Sequence, residues 1–345
     1  MKKISVFLLL FALSCTAVFA AGNNEASTLI EEKILFTDSC GRTVEIPKDI
    51  TKVAPSGNVA TMFFSVLAPQ YMVCVNKTPD SKSMQYLPKV LAEIPEAGQL
   101  YGGKATLNIE QIIALDAQII IDIGDYKKGI EEDLDALQQQ TGIPCIFMDG
   151  SIANMAESIR KLGGILKDKQ QRAEEVASFI DGTLAMTEEN KAKIKPEEVK
   201  TVMFSGGKDG LGTNAKGSSQ AQVLEITGCE NAIVLDKVVS KGNGNQINME
   251  QLYAFDPDVI VISEDSYFDN IAEDETWSVL KAVQNGSYYE VPAYPYNWLA
   301  NPPSLNMILG IWWLGNKVYP QYYDYNMDEV ADRIYNLFWG CNYDC

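Results

Sequence analysis

The sequence predicts an α/β protein of two similar lobes with mainly parallel sheets, joined by one long helix and enclosing a ligand cleft. Two observations carry most of this. A stretch occurs twice: Asn108-Ile109-Glu110-Gln111-Ile112-Ile113-Ala114-Leu115-Asp116-Ala117-Gln118 and three aliphatics align without a gap with Asn248-Met249-Glu250-Gln251-Leu252-Tyr253-Ala254-Phe255-Asp256-Pro257-Asp258 and three more. In each copy Asn with Gln three residues on is a helix N-cap signal, and the β-branched run that follows, without alternation, suits a strand covered on both faces. The copies lie roughly 140 residues apart, far beyond a solenoid period of ~20–50 residues, so each belongs to its own lobe. A cleft between lobes is where ligands most often bind.

The elements follow in order. Met1, Lys2 and Lys3, the apolar run 6–13 and Val18-Phe19-Ala20 predict a secretory signal peptide over 1–20. Leu13-Ser14-Cys15 offers a second ending, a lipoprotein anchored at Cys15, although the apolar residues after it favour cleavage at Ala20. Either ending places the protein in the periplasm or on the outer face of the envelope. A first lobe is expected over 33–150. Its parts are a hairpin around Gly41, a strand into the loop Pro55-Ser56-Gly57-Asn58, a helix over 59–67, a strand over 72–75, the first repeat, a helix over 130–140 and a strand over 145–148. A helical linker is expected over 151–195: one helix ending at Gly163-Gly164, then a second capped by Asp168 that could run to Ile194, ~40 Å at 1.5 Å per residue. The second lobe, 199–345, repeats strand, loop and helix around Gly206-Gly207-Lys208. It goes on through the second repeat, a helix over 277–283, the stretch Tyr288-Tyr289-Glu290-Val291 and an aromatic loop with Tyr296 and Trp298. Trp312, Trp313 and Tyr319 lie on a closing helix.

Composition excludes several functions. The chain has no His, which removes Ser-His and Cys-His catalysis and the usual zinc sites, and no cofactor motif or resident metal site is visible. The net charge of −18, more negative once Lys2 and Lys3 are lost, repels nucleic acid and anionic membranes. The loop at Gly206 lacks the Gly-Lys-Ser or Gly-Lys-Thr of a phosphate loop. Among seven Cys only Cys341 and Cys345 are close in sequence, and a bridge between them would staple only the tail; buried thiols are the alternative.

Four stretches together resemble the substrate-binding proteins of bacterial ABC importers, in the branch that carries iron-siderophore complexes, cobalamin and haem. They are 38–47 with Gly41-Arg42-Thr43-Val44; the paired repeats; Val223-Leu224-Glu225 with Gly228-Cys229-Glu230-Asn231; and Pro302-Pro303-Ser304 leading to Leu314 and Tyr319-Pro320. The resemblance implies two lobes on one long helix that open only slightly, a monomer, no enzymatic activity, and a permease partner. It also implies docking, since a surface Glu on each lobe of the cobalamin-binding relative pairs with permease Arg residues at the positions of Glu110 and Glu250. A Glu in a helix's first turn is favoured by the dipole in any case.

The expected function is capture of a metal chelate and its delivery to the permease. Ligand-binding candidates are Ser56 and Asn58 at a helix N-terminus, the aromatics Tyr101, Tyr126, Tyr267, Tyr296 and Trp298 on loops, and Lys104 and Lys208, with Lys127, for an anionic group. Three alternatives stay open: an oxyanion of the molybdate or tungstate type, an enzyme using Asp125 or Glu264, and an envelope adhesion module.

Overall fold

The computed structural model describes residues 32–101, 105–264 and 267–343. The signal peptide, Cys15, Lys104 and Cys345 therefore lie outside the described residues.

β1 (Lys33–Thr37) and β2 (Thr43–Pro47) form the expected antiparallel hairpin, with Gly41 at φ +87° in its turn. Arg42 ties this hairpin to the first lobe. Its guanidinium donates to Asp38 Oδ2 at 3.1 Å, to Asp135 at 2.7 Å and to the carbonyl of Cys145 at 3.0 Å, while the buried Asp38 also accepts the Arg42 amide at 2.9 Å. The Gly41-Arg42 motif is thus a structural anchor.

β3 (Val53–Pro55) leads into α1 (Asn58–Leu67); α2 (Ile109–Ala114) precedes β4 (Ile119–Gly124), and α3 (Ile130–Thr141) precedes β5 (Cys145–Asp149). The three strands form a parallel sheet in the order β3-β4-β5. The strand expected over 72–75 is reduced to isolated bridges, Val53 to Met72 and Val75 to Glu96.

α4 (Met155–Ile165) runs through Gly163-Gly164 instead of ending there. The reason is close packing, because a Cβ on Gly163 would lie 2.3 Å from the Cβ of Ala173 in the next helix. That helix, α5 (Gln170–Lys191), has 22 residues and spans ~33 Å, shorter than expected. Asp168 does not cap it: at φ +52° it accepts the Tyr71 hydroxyl at 2.9 Å, and the helix starts after Lys169.

Next come β6 (Thr201–Gly206), β7 (Gly212–Thr213), α6 (Gln222–Ile226), β8 (Glu230–Asn231), β9 (Asn245–Gln246), α7 (Met249–Phe255) and β10 (Val259–Ile262). They are followed by α8 (Lys281–Gln284), β11 (Tyr288–Glu290), α9 (Asn306–Val318) and α10 (Met327–Trp339). The helix expected over 277–283 is confined to α8. The second sheet runs β11-β10-β6-β7-β9, with β8 also on β6; β11, β10, β6 and β8 are parallel, matching the first sheet, while β7 runs against β6 and β9 against β7.

Both repeats are realised in local detail. Asn108 and Asn248 accept the amides of Gln111 and Gln251 at 3.0 and 2.9 Å, and the Gln251 side-chain oxygen accepts the Asn248 amide at 3.0 Å. Asp116 and Asp256 both adopt positive φ where the helices end. Gln118 accepts the Thr51 amide just ahead of β3, and Asp258 accepts the Thr201 amide at the start of β6, in each case beside the neighbouring parallel strand and at 2.8 Å.

The aliphatic runs are buried on both faces. Ile119, Ile121, Val202, Phe204, Val259 and Val261 share one large core with α1, α4, α5, α9 and α10, whereas Ile120 joins a second core and Met203, Ile260 and Ile262 a third. The shared core makes the two halves one continuous packed body. α10 packs on α1, and Tyr335 within it meets Tyr86 edge-on at 5.2 Å.

Candidate functional site

A cavity of about 370 Å³ opens where the first sheet's strands end, at the carboxyl edge favoured for ligands in α/β sheets. The turn from β3 into α1 contributes Ser56, Gly57 and Asn58, β4 contributes Asp122, Gly124 and the following Asp125 and Lys127, and Gln99 and Tyr101 come from the loop before α2. The opposite wall belongs to the second half of the chain: Ser219, Ser240, Lys241 and Pro303. One cavity is therefore built from both lobes.

Polar groups from several elements converge on it. Helix α1 has no side-chain cap, and its first internal bond runs from the Thr61 amide to Gly57 at 2.9 Å, so the amides ahead of Thr61 have no partner within the helix. Gly57, Asn58 and Val59 bring that positive end to the cavity. The Lys127 ammonium sits 4.0 Å from the centroid of the Tyr101 ring, and the Tyr101 hydroxyl donates to Asp133 at 2.9 Å. Burial and the Asp133 carboxylate push the Tyr101 phenol above its usual range, keeping it protonated and donating. Beneath them the buried Asp122 takes the Ser56 hydroxyl on Oδ1, while Oδ2 has no partner. Burial pushes its carboxyl upward.

The structure brings only some of the expected residues together. Ser56, Asn58 and Tyr101 line the cavity. Tyr296 lines a neighbouring one of about 250 Å³, which shares Asn58. Four expectations are corrected or displaced. Trp298 is 1% exposed; its indole donates to Tyr335 at 3.2 Å and its ring packs on Tyr343, so it belongs to the core. Tyr126 points to solvent, 58% exposed, with its hydroxyl on Glu131 at 3.0 Å. Tyr267 is held by Asp274 at 2.6 Å and by Trp277, within its own loop. Lys208 is exposed and lines none of the described cavities; its loop is closed by Ser205 donating to the Gly210 carbonyl at 2.7 Å.

Asp122, Gln99, Ser219 and Lys241 were missed. Asp122 carried a signal, since an acid in an otherwise aliphatic strand is rarely buried without purpose; the others sit in loops without pattern.

A family model described as periplasmic binding protein matches residues 70–295, well over half of the chain. The chain belongs to this family. Among its relatives is YhfQ of Bacillus subtilis, described as an ABC transporter substrate-binding lipoprotein, 23% identical over 325 residues covering 90% of this chain and 96% of the relative. A vitamin B12-binding protein of Salmonella choleraesuis is 24% identical over 193 residues, 55% of this chain and 65% of that protein. An ABC transporter solute binding protein from Sulfurospirillum deleyianum superposes with a TM-score of 0.81 at 27% identity, covering 90% of this chain and 96% of that one.

This periplasmic binding protein is accordingly a substrate-binding component of an ABC transporter, and its family works outside the cytoplasm. The family consists of transporter binding proteins. No described helix is long and apolar enough to cross a membrane. Glu110 and Glu250 stand exposed in the first turns of α2 and α7, at identical positions of the two repeats.

Proposed function

We propose that this binding protein captures a compact, oxygen-rich metal chelate and delivers it to its permease, with residues 33–150 and 199–345 as the two walls and 151–195 as the link. The carrying observation is a cavity at the carboxyl edge of the first sheet that is lined from both halves. Its size lies at the low end of ligand pockets, ~300–1,000 Å³, and Tyr101 is its one aromatic lining residue among those described, which suits a small hydrophilic chelate better than haem or cobalamin. Lys127, Lys241 and the α1 amides are placed for anionic oxygens. The metal brings its own donors: the sequence has no His, and no group of three or more Cys, Asp and Glu able to hold a metal occurs among the described residues.

The uncapped α1 terminus also favours a second reading, a bare oxyanion such as molybdate. In either case Glu110 and Glu250 are the proposed permease contacts, one per lobe. Native mass spectrometry of protein purified from its host, followed by calorimetric titration with ferric chelates, cobalamin, haem and molybdate, tests the assignment. Tight one-to-one binding of cobalamin or haem, with no small chelate bound, would reject it.

A further inference from the structure

Asp122 sits where the aliphatic β4 runs out into the cavity. It is 5% exposed, lines that cavity, and leaves Oδ2 without a partner while Oδ1 takes the Ser56 hydroxyl. An orphaned buried polar atom is costly. The fold does not require it, because the same position of the second repeat is Ile262, fully buried in an apolar core. The acid is therefore a departure from the strand's own pattern, made in the lobe whose strand end lines the cavity.

We infer that Asp122 determines specificity: its free oxygen accepts a hydrogen bond from a donor carried by the cargo, so that cargoes presenting only ionised oxygens at the cavity floor are rejected. This rests on reading the cavity as the cargo site. The donor is a hydroxyl, an amine or a metal-bound water, and a tetraoxo anion has none. Around the carboxyl, Asp125 and Lys127 line the cavity from the loop after β4, Tyr101 from the loop before α2, and Lys241 from the other wall. Burial raises the carboxyl, whereas the Ser56 hydroxyl and the Lys127 charge favour its ionised form. Cargo oxygens have the lysines and the α1 amides to meet; its donor has Asp122.

Asp122→Asn tests this, because the amide oxygen keeps the Ser56 bond and the NH2 group puts a donor where the free acceptor stood. Three probes are titrated calorimetrically: the ferric complex of glycine hydroxamate, which carries ammonium groups, the ferric complex of oxalate, and molybdate. A site built to bond a donor rejects analogues lacking it strongly, so wild type should prefer the first by at least ~100-fold. Asp122→Asn should weaken it at least tenfold and strengthen the other two. Asp122→Ile, the residue of the second repeat, should weaken the first and not strengthen the others. An unchanged order of affinities in Asp122→Asn, or a wild type that prefers oxalate or molybdate, overturns the inference. Should wild type bind none of the probes, the chelate reading fails, and the infrared difference spectrum of wild type minus Asp122→Asn at pH 7 still decides for Asp122. Carboxylate bands support an accepting oxygen, and a carboxylic-acid carbonyl band overturns it.

Discussion

Two adjacent glycines in α4 should respond to alanine with opposite signs. A Cβ on Gly163 would lie 2.3 Å from Ala173 Cβ and 3.3 Å from the Lys169 carbonyl, whereas one on Gly164 meets nothing within 4 Å. Carbon atoms pack at ~3.5–4.0 Å, and the Ala173 Cβ is fixed to its backbone, so Gly163→Ala requires α4 and α5 to separate by about 1 Å. Overpacking of this kind costs ~1–3 kcal/mol, and the helix propensity gained on replacing Gly by Ala returns at most ~1 kcal/mol. Gly164→Ala takes the gain without the clash. The variants should therefore straddle wild type, about 2 kcal/mol apart, in urea titrations followed by tryptophan fluorescence with unchanged slopes. Movement of both midpoints in the same direction would refute the close approach of α4 to the long helix.

Other outcomes are expected. Trp298→Ala should lower stability by ~3–5 kcal/mol, as for a fully buried aromatic, while Tyr101→Ala should weaken cargo binding with a small effect on the urea midpoint; the reverse would return Trp298 to the site. Replacing both Glu110 and Glu250 by Arg should abolish uptake in cells and leave cargo affinity unchanged, with each single replacement weaker, because close charge pairs across interfaces couple by ~1.5–7 kcal/mol. Import at the wild-type rate by the double variant would remove the docking assignment. Burial pushes the Cys74, Cys145 and Cys229 thiols up to about 12. At pH 8 iodoacetamide should spare these three in the native protein and modify them in urea, since the thiolate is the reactive form.

What was legible in the sequence was local. The Asn caps of α2 and α7, the Gly41 turn and the unbroken aliphatic runs of β4 and β10 each depend on neighbouring residues, and the repeat extends them to two lobes. Departures within the helices trace to contacts from elsewhere: Gly163-Gly164 reads as a stop until α5 is seen packed against it, and Asp168 reads as a cap until Tyr71 claims it.

The sequence by itself determined the fold class, the duplication, the family and the two helix N-termini that carry Glu110 and Glu250. Only the tertiary structure decided which polar and aromatic side chains meet. Loop aromatics carry no periodicity that says whether they face a core or a cleft, so Trp298 and Tyr101 look alike until α10 is seen to cover one of them and leave the other open. Asp122 and Lys241 lie more than a hundred residues apart and on opposite walls of the cavity, and nothing in either one's neighbourhood specifies the other. That pairing arises because both strand systems pack onto one shared core, which sets Lys241 and its neighbours opposite the carboxyl ends of β3, β4 and β5.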